Sequence, residues 1–184
     1  CFLSCGWLRS PVGMDFKILG PLEVHNERGG VSLGGGKQRA LLALLLIHPN
    51  ESLSTDRLID ELWGQRPPAT AAKIIQNYVS QLRRALGDDR LRTQARGYAL
   101  EVERGELDID RFKQLFEEGK RAQAAGDPTR ASALLHDALA LWRGSPLADF
   151  AYESFALQEI GRLEELRLSA LVELIDADLA LGLQ

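Results

Sequence analysis

The spacing of apolar and polar positions along the chain changes twice, and the order of those changes predicts the fold. From Phe16 to Val24 the pattern alternates imperfectly between turn residues, and Gly29-Gly30 leads into Val31-Ser32-Leu33; both stretches predict short antiparallel strands. Gly34-Gly35-Gly36 breaks the chain before a helix that turns Ala40, Leu41, Leu44, Leu45 and Ile47 inward and ends at Pro49-Asn50. A second helix opens on Ser54, whose hydroxyl can accept a free backbone N–H, with Asp56 at the positive end of the dipole. It carries Leu58, Ile59, Leu62 and Trp63 and stops at Gly64, and Pro67-Pro68 excludes helix from the loop that follows.

The third helix, about Thr70 to Leu86, is the most informative element. On a wheel of about 100° per residue, Ala71, Ile75, Tyr78, Val79, Leu82 and Leu86 fall within about 60° of one direction and predict a core face. The opposite side holds Lys73, Asn77, Ser80 and Arg84, flanked by Thr70, Gln76, Gln81 and Arg83, and contains no Asp or Glu. A DNA major groove asks for such a face: amides pair with adenine edges, Arg with guanine, and Lys with phosphate. Taken alone, the same pattern fits the solvated side of an amphipathic helix. The elements around it favour the nucleic-acid reading.

After Gly87-Asp88-Asp89, apolar residues at Tyr98, Leu100 and Val102, with Gly97 near a turn and Arg92 and Arg96 beside it, predict a β-hairpin with a basic tip. Strands, three helices and a basic hairpin, in that order, predict a winged helix-turn-helix with the tip as its wing. The DNA-contacting residues read from the helix face and the hairpin are Lys73, Gln76, Asn77, Ser80, Gln81, Arg83, Arg84, Arg92, Thr93 and Arg96. From Asp108 the pattern becomes all-helical, with helices over about Asp110 to Ala125, Pro128 to Trp142 and Glu153 to Leu181. Gly119, Ala131, Leu135 and Ala138 follow the small and large spacing of a tetratricopeptide unit, although Leu115 stands where that repeat prefers Trp. Such units need neighbours to cover them, so the expectation is an incomplete module. The predicted fold class is thus an α+β winged helix-turn-helix followed by an all-α tetratricopeptide-like domain. Residues 1–13 are expected outside the fold, with 14–104 as the DNA-binding part and 107–184 as the helical part.

A net charge of −4 argues against a nucleic-acid binder until it is divided. Residues 1–104 carry 14 Lys and Arg against 11 Asp and Glu, whereas residues 105–184 carry 8 against 15. The asymmetry predicts a basic reading head joined to an acidic partner module, and a piece spanning 14–104 that binds DNA by itself. Both cysteines, Cys1 and Cys5, precede Met14, which excludes a disulfide framework. The longest apolar run, Ala40 to Ile47, falls far short of the roughly 18 residues of a membrane span. Gly34-Gly35-Gly36-Lys37 is no phosphate loop, since Val31 and Gln38 stand where that motif needs Gly and Ser or Thr. His25, His48 and His136 read as surface or cap residues, and Asp88-Asp89, Glu117-Glu118 and Glu164-Glu165 as solvated charge. No catalytic residue, metal or cofactor is expected.

Five segments carry a family resemblance: Ile18-Leu19-Gly20-Pro21-Leu22-Glu23-Val24, Lys37-Gln38-Arg39-Ala40-Leu41-Leu42-Ala43-Leu44-Leu45, Leu58-Ile59-Asp60-Glu61-Leu62-Trp63-Gly64, Asn77-Tyr78-Val79-Ser80-Gln81-Leu82-Arg83-Arg84-Ala85-Leu86 and Gly97-Tyr98. In this order the chain resembles the SARP/AfsR family, the Streptomyces antibiotic regulatory proteins, over essentially everything after Met14. The resemblance implies an OmpR/PhoB-type winged helix, then the bacterial transcriptional activator domain. It further implies double-stranded promoter DNA as partner, direct repeats as sites on which a homodimer could form, and a cytoplasmic, nucleoid-associated protein with no membrane partner. RNA polymerase would be recruited through the loop between the second and third helices, here Gly64, Gln65, Arg66, Pro67 and Pro68. A tetratricopeptide-type adaptor whose winged helix binds protein stays open as the other function class.

Overall fold

The computed structural model describes residues 13–182, so the expected N-terminal tail lies, apart from Gly13, outside the described residues. Three short strands, β1 (Asp15–Lys17), β2 (Glu23–Asn26) and β3 (Gly29–Gly30), form an antiparallel sheet in that order, with Phe16 opposite Val24 and His25 opposite Gly30. Helix α1 (Gly36–Ile47), strand β4 (Leu53–Ser54), helices α2 (Thr55–Trp63) and α3 (Ala71–Leu86) and the hairpin β5 (Leu91–Gln94) and β6 (Gly97–Leu100) follow. The second sheet runs β4-β6-β5, antiparallel throughout. Helices α4 (Asp108–Ala124), α5 (Pro128–Leu139) and α6 (Ser154–Ala180) complete the fold, with a 3-10 turn at Ala148–Phe150.

Helix α1 is apolar all round because it is packed all round: every residue from Ala40 to Leu46 is buried, and α2, α3, β6 and α6 all touch it. The Ser54 Oγ accepts from the Arg57 amide at 3.1 Å, the expected N-cap of α2, and Gly64 ends that helix at φ 57, where a side chain would be strained. Gly119 lets α4 and α5 approach, since a Cβ there would lie 2.8 Å from the Leu135 Cγ.

Some boundaries differ from the sequence expectation. The strand expected over 31–33 shrinks to Gly29–Gly30: Val31 still donates to the Val24 carbonyl at 2.8 Å, and the chain then leaves the sheet to bury Leu33. Helix α5 ends at Leu139, and the tight turn after it sets the Trp142 ring edge-on to Phe112 at 5.3 Å. Helix α4 starts two residues early, at Asp108, and this difference fastens the two halves together.

Asp108 and Glu106 are each 1% exposed. The Asp108 carboxylate accepts from the Ile18 amide at 2.9 and 3.0 Å and from the Leu19 amide at 2.9 Å, where the chain leaves β1. The Glu106 carboxylate accepts from the amides of Met14 and Glu103 and pairs with both terminal nitrogens of Arg90 at 2.7 and 2.8 Å. Around the edge, Arg143 pairs with Glu23 at 2.7 Å, Arg39 with Asp149 at 2.6 Å, and Asp149 takes the Leu22 amide at 2.9 Å. The helical half thus terminates the first sheet of the other half. Among the described residues, no helix is long and apolar enough to cross a membrane.

Burial pushes the Asp108 carboxyl up from 3.8 to about 6, more than the Ile18 and Leu19 amides and the charges of Arg143 and Arg111 pull it down. A carboxyl whose folded value is raised holds its proton more tightly in the folded state. Its contribution to stability is therefore fully present below 3.8 and lost as the pH rises through about 6. Urea-midpoint measurements should show the wild type losing on the order of 3 kcal/mol relative to Asp108→Asn between pH 4 and pH 7. A difference that stays flat over that window would mean that the carboxyl is not held out of water.

Candidate nucleic-acid interface

Helix α3 rests on the core through Ala71, Ile75, Val79, Leu82 and Leu86, all buried, with Tyr78 half-buried at the edge. That anchoring leaves Lys73, Gln76, Asn77, Ser80, Gln81 and Arg84 in the open, and no carboxylate shares their face. Among the described residues Arg84 reaches only its own helix, at the Ser80 carbonyl 3.4 Å away, so its guanidinium is available to an outside acceptor. Arg83 and Arg84 also sit in the last turn, where a cation meets the negative end of the helix dipole.

The hairpin stands beside this face. Thr93 lies opposite Tyr98 and Gln94 opposite Gly97, which leaves Ala95-Arg96 as a two-residue exposed turn. The turn is held from behind, because the Thr55 amide donates to the Arg96 carbonyl at 3.0 Å and β4 pairs with β6 through Leu53 and Ser54. Strand β4 was not foreseen: two residues are too short for a pattern.

The structure divides the residues expected at the interface. Lys73, Gln76, Asn77, Ser80, Gln81, Arg84 and Arg96 are exposed together, and Arg96 makes no ion pair among the described residues. Arg92 is exposed but its Nε lies 2.7 Å from the Glu101 carboxylate, so part of its charge is already met. Arg83 and Thr93 are bonded to each other. The loop residues Gly64 to Pro68 are all exposed. The base of this loop is fixed by Lys37, whose Nζ donates to the Leu62 carbonyl at 2.8 Å and faces the Glu153 carboxylate at 3.4 Å. No sequence signal marks Lys37 for this role, because Glu153 is 116 residues away.

Family models match the chain in two consecutive blocks, one described as "Transcriptional regulatory protein, C terminal" over residues 31–100 and one as "Bacterial transcriptional activator domain" over residues 107–184. Regulatory protein DnrI of Streptomyces peucetius is 39% identical over 180 residues, covering 92% of this chain and 66% of its own length. The chain belongs to the SARP/AfsR family of transcriptional regulators. Another member, Regulatory protein AfsR of Streptomyces griseus, is 38% identical over 169 residues, again over 92% of this chain but only 17% of its own. The chain therefore spans only part of these SARP relatives. The solved structure of Mycobacterium tuberculosis EmbR in complex with low affinity phosphopeptide is similar at a TM-score of 0.89 and 35% identity, over 94% of this chain and 47% of that one. The SARP fold expected from the five segments is the one observed: a winged helix with two small sheets, then a helical activator-domain region. The second block begins at Leu107, one residue before α4, so the polar fastening at Asp108 lies at the seam between the two parts of the SARP architecture.

Proposed function

We propose that this chain is a sequence-specific DNA-binding activator of transcription that lays the exposed face of α3 in a major groove and sets the Arg96 turn on the adjacent backbone or minor groove. The acid-free polar face of α3, flanked by a basic turn, carries the reading. Asn77, Ser80 and Arg84 lie at the centre of that face and read base edges, Lys73 beside them on the same line meets phosphate, and Gln76 and Gln81 fix the register from the sides. The exposed loop Gly64 to Pro68 is the surface offered to RNA polymerase, and direct repeats, each taking one copy, are the target sites. Acting on promoter DNA, it works in the cytoplasm at the nucleoid. The reading assigns no catalytic step to the chain.

Competition binding on single-base variants of a site selected from random duplexes tests this reading. Asn77→Ala or Arg84→Ala should cost roughly 1–3 kcal/mol on the selected site and relax preference at one base position. Arg96→Ala should weaken all sequences about equally, with a shallower dependence on salt. Equal losses on selected and random DNA for Asn77→Ala and Arg84→Ala would make α3 an anchor. A folded chain with no DNA affinity at low salt would favour a protein-binding adaptor instead.

A further inference from the structure

Arg83 and Arg84 are neighbours in sequence and differ in what they can reach. Arg84 is exposed on the groove-facing side of α3, whereas Arg83 is half-buried at the helix edge and turned toward the hairpin. Its Nε donates to the Leu91 carbonyl at 2.8 Å and its Nη2 donates to the Thr93 Oγ1 at 2.7 Å. One planar guanidinium thus spans two residues of β5, a grip that neither Lys nor Gln can reproduce. The chain joins α3 to β5 through the turn at Gly87 (φ 103); β5 is held to β6 by its ladder and to the core by buried Leu91, and the Arg83 guanidinium is the polar link from α3 itself to that strand. On its other side the hairpin is held by the backbone pairing of β6 with β4, by the Thr55 amide and by the burial of Tyr98 and Leu100.

We infer that Arg83 is a positioning residue: with Thr93 it clamps the hairpin to α3 and so sets the distance and angle between the base-reading face and the Arg96 turn. This rests on the DNA reading above, and it reassigns Arg83 and Thr93 from contacting DNA to holding the two contacting elements in one pose. A groove-bound helix and a wing on one duplex cooperate only if their separation is fixed before binding; a loose wing loses affinity by the freedom it must give up. Base preference, set by Asn77, Ser80 and Arg84, does not depend on the clamp. Arg96 does, because its position is what the clamp fixes.

The test uses the full chain, the site selected by the wild type, and the variants Arg83→Gln, Thr93→Val and Arg96→Ala, singly and in pairs. Arg83→Gln is expected to weaken selected and random duplexes alike, on the order of tenfold, with base preference unchanged. Thr93→Val should give part of that loss and add nothing to Arg83→Gln. Arg96→Ala should cost several times less in the Arg83→Gln background than in the wild type, a coupling that a general loss of stability would not produce. In the free protein, amide exchange at residues 91–94 should quicken on Arg83→Gln while exchange in α1 stays unchanged. Loss of preference at one base position, or Arg83→Gln and Arg96→Ala losses that multiply independently, would show that Arg83 contacts DNA itself. If the wild type binds no DNA, the DNA reading fails, and the exchange measurement alone decides the clamp: unchanged exchange at residues 91–94 overturns it.

Discussion

A chain cut after Arg104 is expected to lose its cooperative unfolding transition, contrary to what the charge division alone suggests. The cut removes Glu106 and Asp108, which between them accept from the amides of Met14, Ile18 and Leu19, and the Glu106 carbonyl, which accepts from Phe16 at 2.7 Å. It also removes Arg143, whose amide donates to the Leu19 carbonyl, and Leu147, whose amide donates to the Ile18 carbonyl. Exchanging each of these bonds for water costs about 0.5–1.5 kcal/mol, and the apolar side chains of β1, α1 and α2 that pack on α4 and α6 lose their cover at about 1.5–3 kcal/mol each, so the summed loss reaches the roughly 5–15 kcal/mol that hold a whole domain folded. Thermal melts followed by circular dichroism check this. A sharp melt and full DNA affinity for residues 14–104 would show that the seam is dispensable. In the full chain Asp108→Ala should cost about 3–5 kcal/mol, because it leaves the buried Ile18 and Leu19 amides without an acceptor.

Gly97→Ala is expected to be the most damaging single methyl that can be added to the reading head. A Cβ at Gly97 would lie 1.8 Å from the Leu53 carbonyl oxygen and 2.8 Å from the Ser54 Cα, both backbone atoms with nowhere to retreat. Strand β4 must then part from β6, and with it go the Ser54 cap of α2 and the backbone support of the Arg96 turn. A loss of about 3 kcal/mol or more in urea unfolding follows, at the upper end for overpacking. Gly35→Ala, in extended backbone with nothing within 4 Å, serves as the control and should stay within about 0.5 kcal/mol of the wild type. Equal midpoints for the two variants would contradict the close approach of β4.

The elements legible in the sequence are those whose physics is local. The face of α3 repeats at the helical period, the Ser54 cap acts over three residues, and the run Ala40 to Leu46 is apolar on every side because it is buried on every side. The hairpin showed through Gly97 and the alternation after it, and the proposed interface residues are read from that hairpin and the α3 face. The fastening between the halves did not show. Asp108 meets Ile18 across 90 residues and Arg39 meets Asp149 across 110, and nothing in the local composition distinguishes such charges from solvated ones. Arg83 fails in the same way on a smaller scale: on a helical wheel it flanks the exposed face, and only the fold brings Thr93 to it.

The seam at Asp108 has a consequence for geometry on the genome. With the helical module fixed to the first sheet and Arg83 holding the hairpin to α3, the proposed seating of α3 in a groove would settle the angle at which that module leaves the duplex. On B-form DNA the groove direction turns through a full circle in about 10.5 base pairs. So seated, the module would behave as a pointer whose compass bearing is written in the spacing between the site and whatever it must meet, and a spacing wrong by half a turn would aim it at the far side of the helix.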